Sequence, residues 1–137
     1  MEFSREDITA SNWNSLYRTM GIEVLEAAQG RARSVLRPKP AVCWPFAEQP
    51  HGGTLFTLMD TTMAWAVLTL VEPGQNCATI SMEVQYTQRA LGGEFICEGW
   101  VAFRAGRMAY TRADVKNPGG GLFATAQAAF RVIKVSA

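Results

Sequence analysis

The sequence predicts an α+β fold in which an antiparallel sheet wraps one long central helix, and three observations lead to it. A mostly apolar run from Thr54 to Val71 fits a helix buried most of the way round. Directly after it the hydrophobic period changes from 3.6 to 2, with Ala78, Ile80, Met82, Val84 and Tyr86 alternating with Thr79, Ser81, Glu83 and Gln85. Three more strand-like stretches then follow one another across short glycine-containing turns. A chain of 137 residues suits one domain, 1–137, with a real core but no room for separate substrate and cofactor domains.

The elements follow in order. Residues Ile8 to Met20 read as a short amphipathic helix, N-capped by Asp7 or Ser11 and stopped at Gly21, with Trp13, Leu16 and Tyr17 turned inward. Strands near 22–28 and 32–37 form a hairpin through Gly30, and Pro38 and Pro40 end it. Residues 41–50 have no period and carry prolines at 45 and 50, so they read as an irregular loop leading to a helix start. The central helix runs from about Gly53 to Leu70 and stops before Pro73-Gly74. Leu55, Phe56, Met59, Met63, Ala66, Val67 and Leu70 share one arc, Thr54, Thr57 and Thr61 another, and Leu58 and Trp65 a third. Strands near 78–86, 94–104, 108–116 and 122–134 complete an antiparallel meander.

Composition narrows the function classes. With 13 Lys+Arg against 12 Asp+Glu there is no broad field for nucleic acid or an anionic membrane surface. Cys43, Cys77 and Cys97 are odd in number and widely spaced, so neither a disulfide framework nor a zinc site is indicated, and a reducing compartment is expected. The N-terminal MEFSREDITASNW carries charges where a signal peptide needs an apolar run, so a cytoplasmic location is expected. Asp60 sits near the centre of the long apolar stretch. A charge at mid-bilayer costs about 3 kcal/mol, which argues for a buried helix rather than a membrane span.

Asp60 is also the first candidate for chemistry. Its helical neighbours at three and four residues are Phe56, Thr57, Met63 and Ala64, with no Lys or Arg in reach. A carboxylate that is costly to bury is commonly retained for function; the alternative is a carboxylate bonded to Thr57, Thr61 or strand backbone. His51-Gly52-Gly53 lies directly before the helix, whose first N–H groups lack intrahelical partners and point along the positive end of the dipole. Donors fixed there stabilise a developing oxyanion by about 3–4 kcal/mol each in well-studied cases; the alternative is an ordinary helix start. Gly53 and Asp60 are two turns apart, so about 10 Å of helix separates them. To act on one atom, they must come from two antiparallel copies of the helix in a two-fold dimer. His51, the sole histidine, rules out a multi-histidine metal site; it either orients the loop, bonds near the reacting carbonyl or caps backbone. Gly119-Gly120-Gly121 lacks the Lys-Ser/Thr of a phosphate loop and reads as a turn.

The stretch His51-Gly52-Gly53-Thr54-Leu55-Phe56-Thr57-Leu58-Met59-Asp60-Thr61 resembles the HGGxxxxLxD signature of the PaaI-like hotdog-fold acyl-CoA thioesterases, and the order of elements is similar to that family over nearly the whole chain. The resemblance implies a sheet wrapped round the helix, subunits paired side by side as a homodimer or a homotetramer (a dimer of dimers), and an acyl-CoA substrate at the interface. No cofactor is implied beyond the CoA of the substrate. It matches Gly53 to the backbone donor for the thioester oxygen, Asp60 to the carboxylate that attacks or activates water, and Thr79 to a hydroxyl that helps to place the water. The family's Asn six residues before the motif histidine is replaced here by Pro45, for which Gln49 or Glu48 substitutes, and Gly52 and Gln49 join the expected substrate-binding set. Arg89, Arg104 and Arg107, near strand ends, are the candidates for the CoA phosphates. A non-catalytic protein binding acyl-CoA or an aromatic ligand is the second reading, and a dehydratase or hydratase the third.

Overall fold

The computed structural model describes residues 1–135. Helices α1 (Arg5–Ser11) and α2 (Ser15–Met20) lead into strands β1 (Ile22–Ala28) and β2 (Arg31–Leu36); a short α3 (Pro40–Cys43) and the long α4 (Gly52–Leu68) precede β3 (Gln75–Tyr86), β4 (Phe95–Ala105), β5 (Met108–Lys116) and β6 (Leu122–Lys134). One six-stranded sheet results, in the order β1-β2-β4-β5-β6-β3, with every pairing antiparallel. It is the α+β arrangement expected, with α4 packed into the concave face.

The helix is held there by its side chains. Leu55, Leu58, Met59, Met63 and Val67 are fully buried in one cluster with Leu36, Phe95, Val115 and Phe130. Each such side chain contributes about 1.5–3 kcal/mol of transfer free energy. Two helix hydroxyls bond back to their own helix: Thr62 Oγ1 donates to the Leu58 carbonyl at 2.6 Å and Thr57 Oγ1 to the Gly53 carbonyl at 3.0 Å. The fully buried Thr62 therefore leaves no side-chain polar atom unpaired. At the sheet's centre the contact is between backbones, because a Cβ on Gly99 of β4 would lie 3.2 Å from the Met63 nitrogen and from the Thr62 carbonyl carbon.

Four expectations need correction. The helix expected over 8–20 is two helices. Asn14 caps α2 by accepting from the Tyr17 N–H at 2.9 Å, while Asn12 leaves the helix to bond both the N–H and the C=O of Val24. The break keeps Tyr17 inward but turns Trp13 and Leu16 out to 69% and 52% exposure. The loop 41–50 opens with one helical turn, started by Pro40 at a position where its missing N–H costs nothing. Only β4, β5 and β6 form a meander: segment 87–94 carries the chain away from β3 so that β4 pairs with β2, leaving β3 beside β6. Finally, β3 does not alternate throughout. Ile80 is an extra residue between the pairs Thr79–Phe130 and Ser81–Ala129, and this bulge leaves Ile80 57% exposed. Cys77 and Thr79 then face the helix before it, and Met82 and Val84 after it.

The hairpin through Gln29-Gly30 is as expected. Both residues have positive φ, 52° and 75°, as a two-residue turn matched to strand twist requires. Among the described residues, no helix is long and apolar enough to cross a membrane.

The close approach at Gly99 gives a test. Gly99→Val forces α4 off the sheet and is expected to lose about 1–3 kcal/mol in urea unfolding; unchanged stability would contradict the backbone contact.

Candidate functional site

Helix α4 is buried on all but one stripe. Gly53 and Phe56 are exposed, and Gly52, Thr57, Asp60, Ala64 and Leu68 are half-buried. Their spacing of three and four residues places Gly53, Phe56, Thr57, Asp60, Ala64 and Leu68 on one face along the whole helix. Strand β3 flanks that stripe in the opposite direction: the Cys77 thiol reaches the Ala64 carbonyl at 3.8 Å, Thr79 meets Asp60, and Tyr86 meets Gly52. As the last strand of the sheet, β3 has no strand on its outer side among the described residues. The stripe and the open strand edge lie together.

At the stripe's centre Thr79 Oγ1 donates to Asp60 Oδ1 at 2.7 Å. Asp60 was expected without a cation, and among the described residues no Lys, Arg or His pairs with it. Its partner is neither Thr57 nor Thr61 but a strand hydroxyl, aimed by the bulge at Ile80. Two further groups lie close enough to feel the carboxylate. Burial, and secondarily Asp60, pushes the Cys77 thiol up to about 11. Burial also raises the Tyr17 phenol, a hydrogen bond from Trp65 Nε1 at 3.0 Å partly offsets this, and Asp60 raises it further.

At the helix start, His51 is the N-cap. Its Nδ1 accepts the Gly53 N–H at 2.8 Å, so the ring in this geometry carries its proton on Nε2. The donor expected for a thioester oxygen is thus held by the imidazole. Gly52 serves a different purpose: Tyr86 Oη donates to the Gly52 carbonyl at 2.7 Å, and a Cβ at Gly52 would come within 3.3–3.4 Å of the phenol ring. Tyr86 is the residue sequence reading missed. The alternation makes it one more apolar position of the strand, whereas it fastens the end of β3 to the glycine turn.

The other expected residues are dispersed. Gln49 lies in the loop before the motif, with its N–H bonded to the Phe46 carbonyl at 3.2 Å and no side-chain hydrogen bond among the described residues. Arg104 is committed to backbone, donating to the carbonyls of Leu70 at 2.8 Å and Gly106 at 3.2 Å. Gly53 and Asp60 of one chain are two turns apart and do not converge, as the spacing requires. Asp60 lines none of four cavities found among the described residues; of these the one of about 900 Å³ lies at β1 on the opposite edge of the sheet. Among the described residues, no three His, Cys, Asp or Glu side chains are grouped to hold a metal ion.

A family model of the Thioesterase superfamily matches residues 50–124, more than half of the chain and all of the His51–Asp60 stretch. No curated protein matches the sequence. A thioesterase from Haemophilus influenzae superimposes with a TM-score of 0.88 at 16% identity, over 98% of this chain and 93% of that one. The PaaI protein from the phenylacetic acid degradation operon of Escherichia coli gives 0.79 at 15% identity, over 93% and 89%. A hypothetical thioesterase from Streptococcus pneumoniae, solved with coenzyme A, gives 0.74 at 18% identity, over 85% and 91%. The shared architecture is the hotdog fold.

The buried thiols predict the stability of the fold at alkaline pH. Burial raises Cys77 from an ordinary 9.0 to about 11 and Cys97 to about 12, and Tyr17 and Tyr86 shift in the same direction. Above pH 9 the unfolded chain loses protons that the folded chain keeps, so stability falls as pH rises from about 9 through 11–12. Urea midpoints measured from pH 8 to 11 under reducing conditions should decline, and less steeply in Cys77→Ser; a flat wild-type profile would contradict the burial of these groups.

Proposed function

The chain belongs to the Thioesterase superfamily, a group of thioester hydrolases, and from that premise we propose that it cleaves an acyl-CoA to a free acid and CoA at sites shared by two chains. The observation that carries this reading is the open stripe of α4 beside the unpaired edge of β3. A second copy related by a two-fold axis covers both, pairing β3 with β3 and setting the two α4 helices antiparallel. Gly53 of one chain then comes opposite Asp60 of its partner, and two equivalent sites form. Two such dimers assembled as a tetramer would leave this geometry unchanged.

The chemistry follows from the groups assembled. The Gly53 N–H, with the dipole of α4 behind it, donates to the thioester carbonyl oxygen as negative charge develops there. His51 yields the N–H to the substrate and keeps the turn in position. Asp60 removes a proton from water as the water oxygen bonds to the carbonyl carbon; the C–S bond then breaks and the sulfur leaves as the CoA thiol, taking up that proton. In the covalent variant Asp60 itself attacks, giving a mixed anhydride that water hydrolyses. The Thr79 hydroxyl, already bonded to Asp60 Oδ1, holds the carboxylate and the water in line. Tyr86 and Gly52 brace the donor turn, and Gln49 stands in the loop where the family's Asn is replaced by Pro45.

A second reading has one observation in its favour. The Gly53 N–H is occupied by His51 Nδ1, as in a protein that binds acyl-CoA without turning it over.

Free thiol released from a panel of acyl-CoA thioesters decides between them. Asp60→Asn is expected to lower the rate at least about a hundredfold with the particle mass unchanged. Thr79→Val should lower kcat about tenfold and Thr79→Ser restore it, the hydroxyl being what the reaction uses. An active Asp60→Asn protein would sink the hydrolytic role of Asp60, and tight acyl-CoA binding without turnover by the unaltered protein would favour the second reading.

A further inference from the structure

The break between α1 and α2 leaves an indole exposed beside a cationic groove that the hydrolytic site does not use. The groove holds about 900 Å³, a volume suited to a small organic ligand, and runs between α1, α2 and the outer side of β1. Trp13 lines it at 69% exposure, with the Arg18 guanidinium 5.1 Å from its ring centroid. Burying so large a ring normally contributes strongly to stability, and this fold instead spends a cap at Asn14 on turning it outward.

Charge gives the groove its sign. Its lining carries Arg5, Arg18, Arg37 and Lys39 against one carboxylate, Glu23. Arg37 already takes up that carboxylate at 3.4 Å, together with Glu94 at 3.0 Å. Among the described residues Arg5, Arg18 and Lys39 have no ion-pair partner. Three cations without an ion-pair partner, brought to one groove from α1, α2 and the residue before α3, contrast with a chain whose total charge is only +1. The edge of β1 is closed to peptides at the same place, because the Asn12 carboxamide occupies both the N–H and the C=O of Val24 at 2.8 and 2.9 Å. A strand added to the sheet at Val24 therefore does not fit, and the lining offers cations and an exposed indole instead.

We propose that this groove is a second ligand site, for an adenine nucleotide, with the base stacked on Trp13 and the phosphates received by Arg18, Arg5 and Lys39. The site lies at the sheet edge opposite β3, away from Asp60 and the stripe of α4.

Calorimetric titration of the intact protein with ADP tests this. One ADP per chain is expected, with adenosine alone and pyrophosphate alone at least about tenfold weaker, since each supplies half of the recognition. Trp13→Ala and Arg18→Gln should each weaken ADP about tenfold, and Asp60→Asn should not. Both substituted side chains are exposed, so the fold survives their loss. A free nucleotide and the nucleotide half of CoA share this chemistry: KM for acyl-CoA unchanged in Trp13→Ala assigns the groove to the former, and a raised KM to the latter. No heat with millimolar ADP, or ADP binding unaltered by Trp13→Ala, would overturn the proposal. So would a changed particle mass of Trp13→Ala without ligand, which would make the indole a contact between copies.

Discussion

A sheet of six strands curls round a 17-residue helix but does not close, because its last strand, β3, ends the ladder beside the helix rather than meeting β1. Most of what is particular to this protein follows from that opening. The helix is buried wherever the sheet reaches, down to backbone contact at Gly99, and is left half-covered where it does not. Among the uncovered residues are the ones with chemistry to offer: the glycine turn at the N-terminus and the carboxylate two turns along. An edge strand with unpaired backbone groups is costly to leave open, and here it borders an apolar-polar helical stripe, which is why the proposed dimer covers the two together.

The architecture was legible where periodicity is strong. The central helix, the Gln29-Gly30 hairpin and the strands after the helix all stand close to where the alternation of apolar residues and the glycines put them. It was not legible where one residue changes the phase. An extra residue at Ile80 has no signature in an alternating pattern, yet it turns Thr79 toward Asp60 and sends Ile80 outward. Strand order was equally hidden, since segment 87–94 reads as a turn and its crossing to β2 depends on contacts far apart in sequence. In α1 and α2, two asparagine carboxamides outweighed helical periodicity by offering the backbone other partners.

The site was half legible for a related reason. Spacing alone separates Gly53 from Asp60 by two turns and so points to two chains, and the fold keeps them apart in one. What spacing could not supply was the hydrogen bonding. Tyr86 ties β3 to Gly52 and His51 Nδ1 holds the Gly53 N–H, a pairing that gives the motif's histidine a defined task at the helix start. Asp60, for which a bond to helix threonines or strand backbone was the alternative to a chemical role, takes its hydrogen bond from the Thr79 hydroxyl of the edge strand.

The central claim is that each reacting centre draws Gly53 from one chain and Asp60 from the other, and mixed dimers test it most directly. Gly53→Pro deletes the N–H at a first-turn position where no helical hydrogen bond is lost, moving the His51 imidazole that a Cβ there would meet at 2.9 Å, and Asp60→Asn deletes the carboxylate function. Each homodimer alone should be inactive. A purified dimer of one Gly53→Pro chain with one Asp60→Asn chain keeps one intact pairing of two, so it should release thiol from acyl-CoA at about half the wild-type rate. Mixed dimers as inactive as either parent would contradict a site shared between chains.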